Sequence, residues 1–307
     1  MIMKHWMHCP IVVTHGRLRE WQIFKKRQGD HPNAETGEVC FDINCYGRAV
    51  LIPGVTTEPT AHGEEFENFF VIGGEGLVQV GRSKEAIRTG SSIAIPAGLE
   101  HRLSNTGEDE LELVFCRRPH SSSEAERKFE VRHWTEDRDQ SVWEKQYQGH
   151  WHHIYRGPFC GDMHMGDIPP HTFSQPHNHH PEVDEIWYVR KGQGWHWAGR
   201  DYQPQSAGCA VWLDPNLLHS LMNVGEDNAE YIYISSGALK ADRIRANQSQ
   251  AEAETPTDAA EILTLLERHF NDLVSAYDKT EIGIYGVYTN AERVSARIEA
   301  LKKALDR

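Results

Sequence analysis

Two stretches decide the reading of this chain: "GSSIAIPAGLEHRLSN", Gly90 to Asn105, and "GCAVWLDPNLLHSLMN", Gly208 to Asn223. Laid over one another, they match Gly90 to Gly208, His101 to His219 and Asn105 to Asn223, a constant offset of 118 (208 less 90). The same offset carries Glu67 and Gly74 of "ENFFVIGGEG" onto Glu185 and Gly192 of "EIWYVRKGQG". Matches at one spacing mark an internal duplication.

Each copy reads as β structure. "NFFVIGG" and "IWYVRKG" are short runs of aromatic and β-branched residues closed by glycine. "LVQVG" and "GWHWAG" supply return strands, with Gly76 and Gly194 expected at the turns. "SSIAIPAG" and "CAVWLDPN" end at Pro96 and Pro215, where a ladder has to stop. Short strands at regular spacing predict a sandwich or barrel in each unit.

The paired segments resemble the two motifs of the cupin superfamily, G(X)5HXH(X)3–4E(X)6G and G(X)5PXG(X)2H(X)3N. The second motif fits Gly90, Pro96, Gly98, His101 and Asn105 without a gap; the later copy keeps Gly208, His219 and Asn223 but has Asp214 and Asn216 for the proline and glycine. The resemblance implies an all-β chain of two tandem jelly-roll barrels, a bicupin. The expected organisation is an N-terminal segment (1–39), a first barrel (40–118), a connector (119–154), a second barrel (155–237), a polar linker (238–256) and a tail (257–307). In the tail Ile262, Leu265, Leu266, Leu273 and Val274 follow helical spacing, and Thr289 with Glu292 forms a capping-box pattern, so a helical hairpin is expected there.

The resemblance also implies a metal site: two histidines two apart on one strand, a carboxylate beyond them and a histidine from the second motif. Alternation explains the pair, because residues i and i+2 both face the lumen. In the second barrel "PHNHHPEVDE", Pro176 to Glu185, offers His177, His179 and Glu185, with His219 following; His180 is the alternative if no residue is inserted. Glu182 and Asp184 are expected as turn residues. In the first barrel Thr60 stands where one histidine is expected, leaving His62, Glu67 and His101 as a second candidate set. Such ligands suit Fe(II), the favoured ion, or Mn(II), Ni(II), Co(II) or Zn(II). Trp187, on the strand of Glu185, is expected to face inward and wall a substrate pocket.

Composition restricts the partners. The 307 residues carry a formal charge of −13 and no basic run interleaved with aromatics, which argues against nucleic acid or an anionic membrane. Six cysteines without a CxxC pair fit reduced thiols in a cytoplasm. The expected activity is that of a metal-dependent enzyme on a small organic metabolite, first a non-haem Fe(II) dioxygenase. The alternatives are a metal-dependent isomerase, lyase or decarboxylase, and a non-enzymatic ligand-binding bicupin. A homodimer through the tail is a further expectation.

Overall fold

The computed structural model describes residues 1–120, 128–134, 142–145, 151–156, 163–174, 183–215, 217–236 and 263–264. The expected histidine pair (177 with 179), His180 and the tail apart from Leu263 and Thr264 lie outside them. The strands, numbered β1 to β21 along the chain, form two barrels, each with a large and a small sheet.

In the first barrel the large sheet runs β12 (Glu130–His133), β9 (Ser91–Ile95), β6 (Glu65–Gly73), β11 (Leu111–Pro119), β5 (Cys45–Leu51), β3 (Leu18–Lys26) and β2 (Ile11–Thr14), with β4 (Glu38–Cys40) beside β3. The small sheet is β10 (His101–Asn105), β7 (Glu75–Val80) and β8 (Ser83–Arg88). The second barrel repeats the order. Its large sheet is β1 (Ile2–His5), β19 (Cys209–Leu213), β16 (Glu185–Lys191), β21 (Ala229–Ser235), β15 (Met163–Ile168), β14 (Trp151–Arg156) and β13 (Val142–Lys145). Its small sheet is β18 (Asp201–Ser206), β17 (Gln193–Ala198) and β20 (His219–Met222). Among the described residues no helix is long and apolar enough to cross a membrane.

β6 shows why the strand sequences do not alternate between apolar and polar. Phe69 and Val71 fill the lumen of the first barrel, while Phe66 and Phe70 belong to a layer shared with Ile186, Tyr188, Trp212 and Ile232 of the second. A strand buried on both faces reads as a continuous apolar run. The turns predicted at Gly76 and Gly194 fall two residues earlier, at Gly74 (φ +78°) and Gly192 (φ +82°). Gly76 and Gly194 sit inside β7 and β17 instead, where a Cβ would come within 2.2 Å of the Ser104 carbonyl and 2.6 Å of the Met222 carbonyl. The motif asparagines hold loops: each side-chain amide donates to two carbonyls, Leu51 and Asp109 for Asn105, Ile168 and Asp227 for Asn223.

The barrels exchange their outermost strands. β1 precedes the first barrel in sequence yet pairs with β19 of the second barrel, while β12, from beyond the first barrel, pairs with β9. Each ends in a His-Trp dipeptide. The Trp6 N–H donates to the Gly208 carbonyl and the Trp134 N–H to that of Gly90. This explains the leading glycine of the repeated motif: Gly90 has φ +94° and Gly208 +90°, and a Cβ there would meet the Trp134 ring at 2.2 Å or His5 at 2.5 Å. Asp184, expected in a turn, is instead fully buried between the barrels. Its carboxylate accepts the backbone N–H groups of Phe41, Asp42 and Ile43 and the indole N–H of Trp212.

Candidate metal centre

Among the described residues the richest cluster lies in the first barrel. Glu67 enters it from β6 and His62 from the loop just before that strand, and His101 opens β10 opposite Val80 of β7. Thr60, at the vacant histidine position, bonds through its backbone to His101. The missing ligand arrives from elsewhere. His15, in the turn between β2 and β3, points into the same space, so that one atom each of His15, His62, Glu67 and His101 lies within 4.8 Å of the others. His15 has φ +46°, a conformation non-glycine residues adopt sparingly and most often where function over-determines it.

Hydrogen bonding fixes the ring orientations. His101 Nδ1 faces the Leu99 carbonyl at 3.1 Å, which only accepts, so Nδ1 carries the proton. His62 Nδ1 faces the Glu65 carboxylate at 3.4 Å, with the same result. His15 Nδ1 meets the Thr14 hydroxyl at 3.0 Å, and that hydroxyl donates onward to Glu20 at 2.6 Å. Three Nε2 lone pairs therefore turn inward in the neutral rings. His15 Nε2 lies 3.4 Å from His62 Nε2 and 3.3 Å from His101 Nε2. Glu67 Oε2 lies 3.3, 3.3 and 2.9 Å from the Nε2 atoms of His15, His62 and His101. A divalent ion bound at about 2.0–2.1 Å separates neighbouring ligands by about 2.8–3.4 Å for octahedral or tetrahedral angles. The donors fit such an ion.

Behind the ligands lies a buried charge network. Arg117 bonds Glu20 and places its Nε 3.3 Å from Glu67 Oε1, the oxygen turned away from the cluster. Burial pushes the Glu20 carboxyl up, against the pull of Arg117. Burial would also raise Glu67, but the histidines around it outweigh that and hold the carboxyl well below the usual carboxylate range. Without an ion, hydrogen bonds to Glu65 and then Glu67 raise His62 to about 9. His62 is the rim of the site: its side chain is 18% exposed, against 1% or less for the other three.

The second barrel shows half of the same pattern. Glu185 and His219 are buried, with Oε2 and Nε2 3.4 Å apart. His219 Nδ1 faces the Leu217 carbonyl at 2.9 Å, as His101 faces Leu99. Trp187 is buried and donates its indole N–H to Glu185 Oε1 at 2.5 Å. His177 and His179 are not among the described residues, so their place is not part of this geometry.

The fold and both sites now stand beside known proteins. A model of the cupin domain matches residues 47–116 and 164–235, one segment in each barrel. The chain belongs to the cupin superfamily, as a bicupin. No curated protein matches this bicupin in sequence. Among solved structures it is similar to a Pseudomonas aeruginosa protein described as glyoxylate-induced, with 17% identity, a TM-score of 0.58 and coverage of 72% of this chain and 81% of that one. It is also similar to Ylba of E. coli, with 13% identity, a TM-score of 0.52 and coverage of 74% and 94%. Oxalate decarboxylase of Bacillus subtilis, a protein with Mn(II) centres, aligns at 13% identity and a TM-score of 0.56 over 76% of each chain. At these identities the likeness is one of fold.

Proposed function

We propose that this bicupin is a metal-dependent enzyme whose principal centre is His15, His62, Glu67 and His101, acting on a small organic acid or hydroxycarbonyl compound. The observation that carries the proposal is the convergence of three Nε2 lone pairs and one carboxylate oxygen, with His15 recruited from outside the barrel motif. A bound divalent ion would supply a Lewis acid that polarises a carbonyl or stabilises an enediolate. The chain itself fixes the ring tautomers, holds the ligand carboxylate through Arg117 and leaves access on the His62 side.

The number of ligands bears on the reaction. A facial set of His62, Glu67 and His101 would leave three octahedral positions, enough for a bidentate substrate together with O2. With His15 added, two remain. That favours an isomerase, lyase or decarboxylase reaction on a bidentate substrate. The Fe(II) dioxygenase reading requires a substrate bound through one atom. Glu185 and His219, completed by His177 and His179 or by His180, form the second proposed site. The buried thiols suit a cytoplasmic protein.

Elemental analysis of purified protein tests the assignment. Stoichiometric Mn, Fe, Co, Ni or Zn is expected, falling by one equivalent in His15→Ala and in His101→Ala. Unchanged metal content in both variants overturns the first-barrel centre. Substrate-dependent O2 uptake would return the choice to the dioxygenase.

A further inference from the structure

Asp184 breaks the symmetry of the duplication. At the constant offset of 118 (184 less 66) its counterpart in the first barrel is Phe66, packed in the layer between the barrels. The first barrel therefore closes with an apolar side chain at this position, and a carboxylate buried there costs free energy unless its oxygens are satisfied. They are satisfied from across the interface. Oδ1 accepts the Phe41 N–H at 2.9 Å, and Oδ2 accepts those of Asp42 and Ile43 at 2.7 and 2.9 Å. On its own side Asp184 is anchored by the Trp212 indole N–H, 3.0 Å from Oδ1, and by its own N–H, which donates to the Ser236 hydroxyl at 2.8 Å.

The segment that Asp184 grips leads to the first-barrel centre. Residues 41–44 join β4 to β5, and the side-chain amide of Asn44 donates to Glu65 Oε1 at 2.6 Å. The other oxygen of that carboxylate faces His62 Nδ1 at 3.4 Å, the contact that turns His62 Nε2 toward Glu67. The backbone of Asn44 is tied to Arg117 and Lys26, at 2.9 and 3.2 Å, so the freedom left in the segment lies in the three residues that Asp184 holds. Glu65 breaks the symmetry too: the same offset (183 less 65) leads to Val183. Both ends of the connection run one way, from the second barrel to the first.

We propose, on the first-barrel metal reading, that Asp184 is a positioning residue of that centre, acting through residues 41–44 and Glu65 on His62, the ligand at the rim. A direct supporting partner of a metal ligand is worth about 10–100-fold in affinity, and Asp184 acts further out, so its loss should cost about 3–10-fold.

Zn(II) affinity by chelator competition tests this on the full chain carrying His219→Ala, which disables the second proposed site. In that background Asp184→Asn, which turns an amide N–H toward backbone donors, should weaken Zn(II) about 3–10-fold. Asn44→Ala, which cuts the connection and leaves the contact between the barrels alone, should weaken it alike. With Glu65→Ala already present, Asp184→Asn should cost nothing further, because the route runs through that carboxylate. A purely structural role would lower the melting temperature and cost the same affinity in both backgrounds. That result, or Zn(II) affinity unchanged in Asp184→Asn, overturns the proposal. Unchanged affinity in Asn44→Ala overturns it alone, whether or not Asp184→Asn folds. Absence of Zn(II) binding, or binding indifferent to His15→Ala and His101→Ala, overturns the metal reading and this inference with it. Binding that needs His101 but ignores Asp184 and Asn44 overturns this inference only.

Discussion

Gly90→Ala isolates the docking of an exchanged strand. Gly90 has φ +94°, and its missing side chain leaves room for the Trp134 ring, which an added Cβ would meet at 2.2 Å. Gly54 has φ +73° with nothing within 4 Å of the same position, so Gly54→Ala registers the backbone cost alone. That cost is about 1–2 kcal/mol for an L-residue in the left-handed region. Gly90→Ala adds overpacking against a tryptophan and a backbone hydrogen bond, about 1–3 kcal/mol more. The expected difference between the two variants is thus about 2 kcal/mol. With thermal midpoints moving about 2–4 °C per kcal/mol for long chains, Gly90→Ala should melt about 4–8 °C below Gly54→Ala. Adding Trp134→Ala should remove most of the difference, because the obstructing ring is then absent. Scanning calorimetry reads all the variants. Equal midpoints for Gly90→Ala and Gly54→Ala, or no relief from Trp134→Ala, would refute the reasoning.

Glu20→Gln keeps the shape behind His15 but removes the charge shared with Arg117 and Thr14; metal affinity should fall about 10–100-fold by chelator competition, the usual cost of losing such a supporting partner. An unchanged affinity would show that His15 needs no such support. His62 sits at about 9 in the metal-free protein, held there by Glu65 and Glu67, so at pH 7.5 an entering ion must displace its proton. Calorimetry in buffers of differing ionisation enthalpy should detect about one proton released per ion, and metal affinity should weaken as pH falls; release of none refutes it. Burial raises the thiols of Cys9 and Cys40 and brings Cys45 to about 12, so these should resist alkylation at pH 8 until the chain unfolds. Mass spectrometry locates the label, and rapid native modification of Cys45 would contradict its placement.

The duplication was legible because strand order, turns and the motif glycine, histidine and asparagine recur at one offset, so the two barrels follow from "GSSIAIPAGLEHRLSN" and its copy. Glu67 and His101 were legible for the same reason. His15 was not. It lies outside both motifs, and a single histidine in "VVTHGRL" has no spacing to mark it; the one signal was the vacancy at Thr60. Asp184 was misread because, beside a histidine-rich turn, nothing local shows that its acceptors meet backbone donors about 140 residues earlier. The exchanged strands escaped for another reason: "IMKHW" and "EVRHW" recur 128 residues apart (134 less 6), off the offset of the barrels.

That exchange imposes an order on folding. His5 precedes its ladder partner, Cys209, by roughly 200 residues. The first barrel can close its own sheet once β12 emerges, whereas β1 has to wait, unpaired, until the second barrel exists. Loop closure over that length is slow, and an idle edge strand is a site for wrong pairing between nascent chains. Seating of β1 is therefore the natural last step of assembly, and the segment that completes the second barrel is the one that also carries His15 to the first.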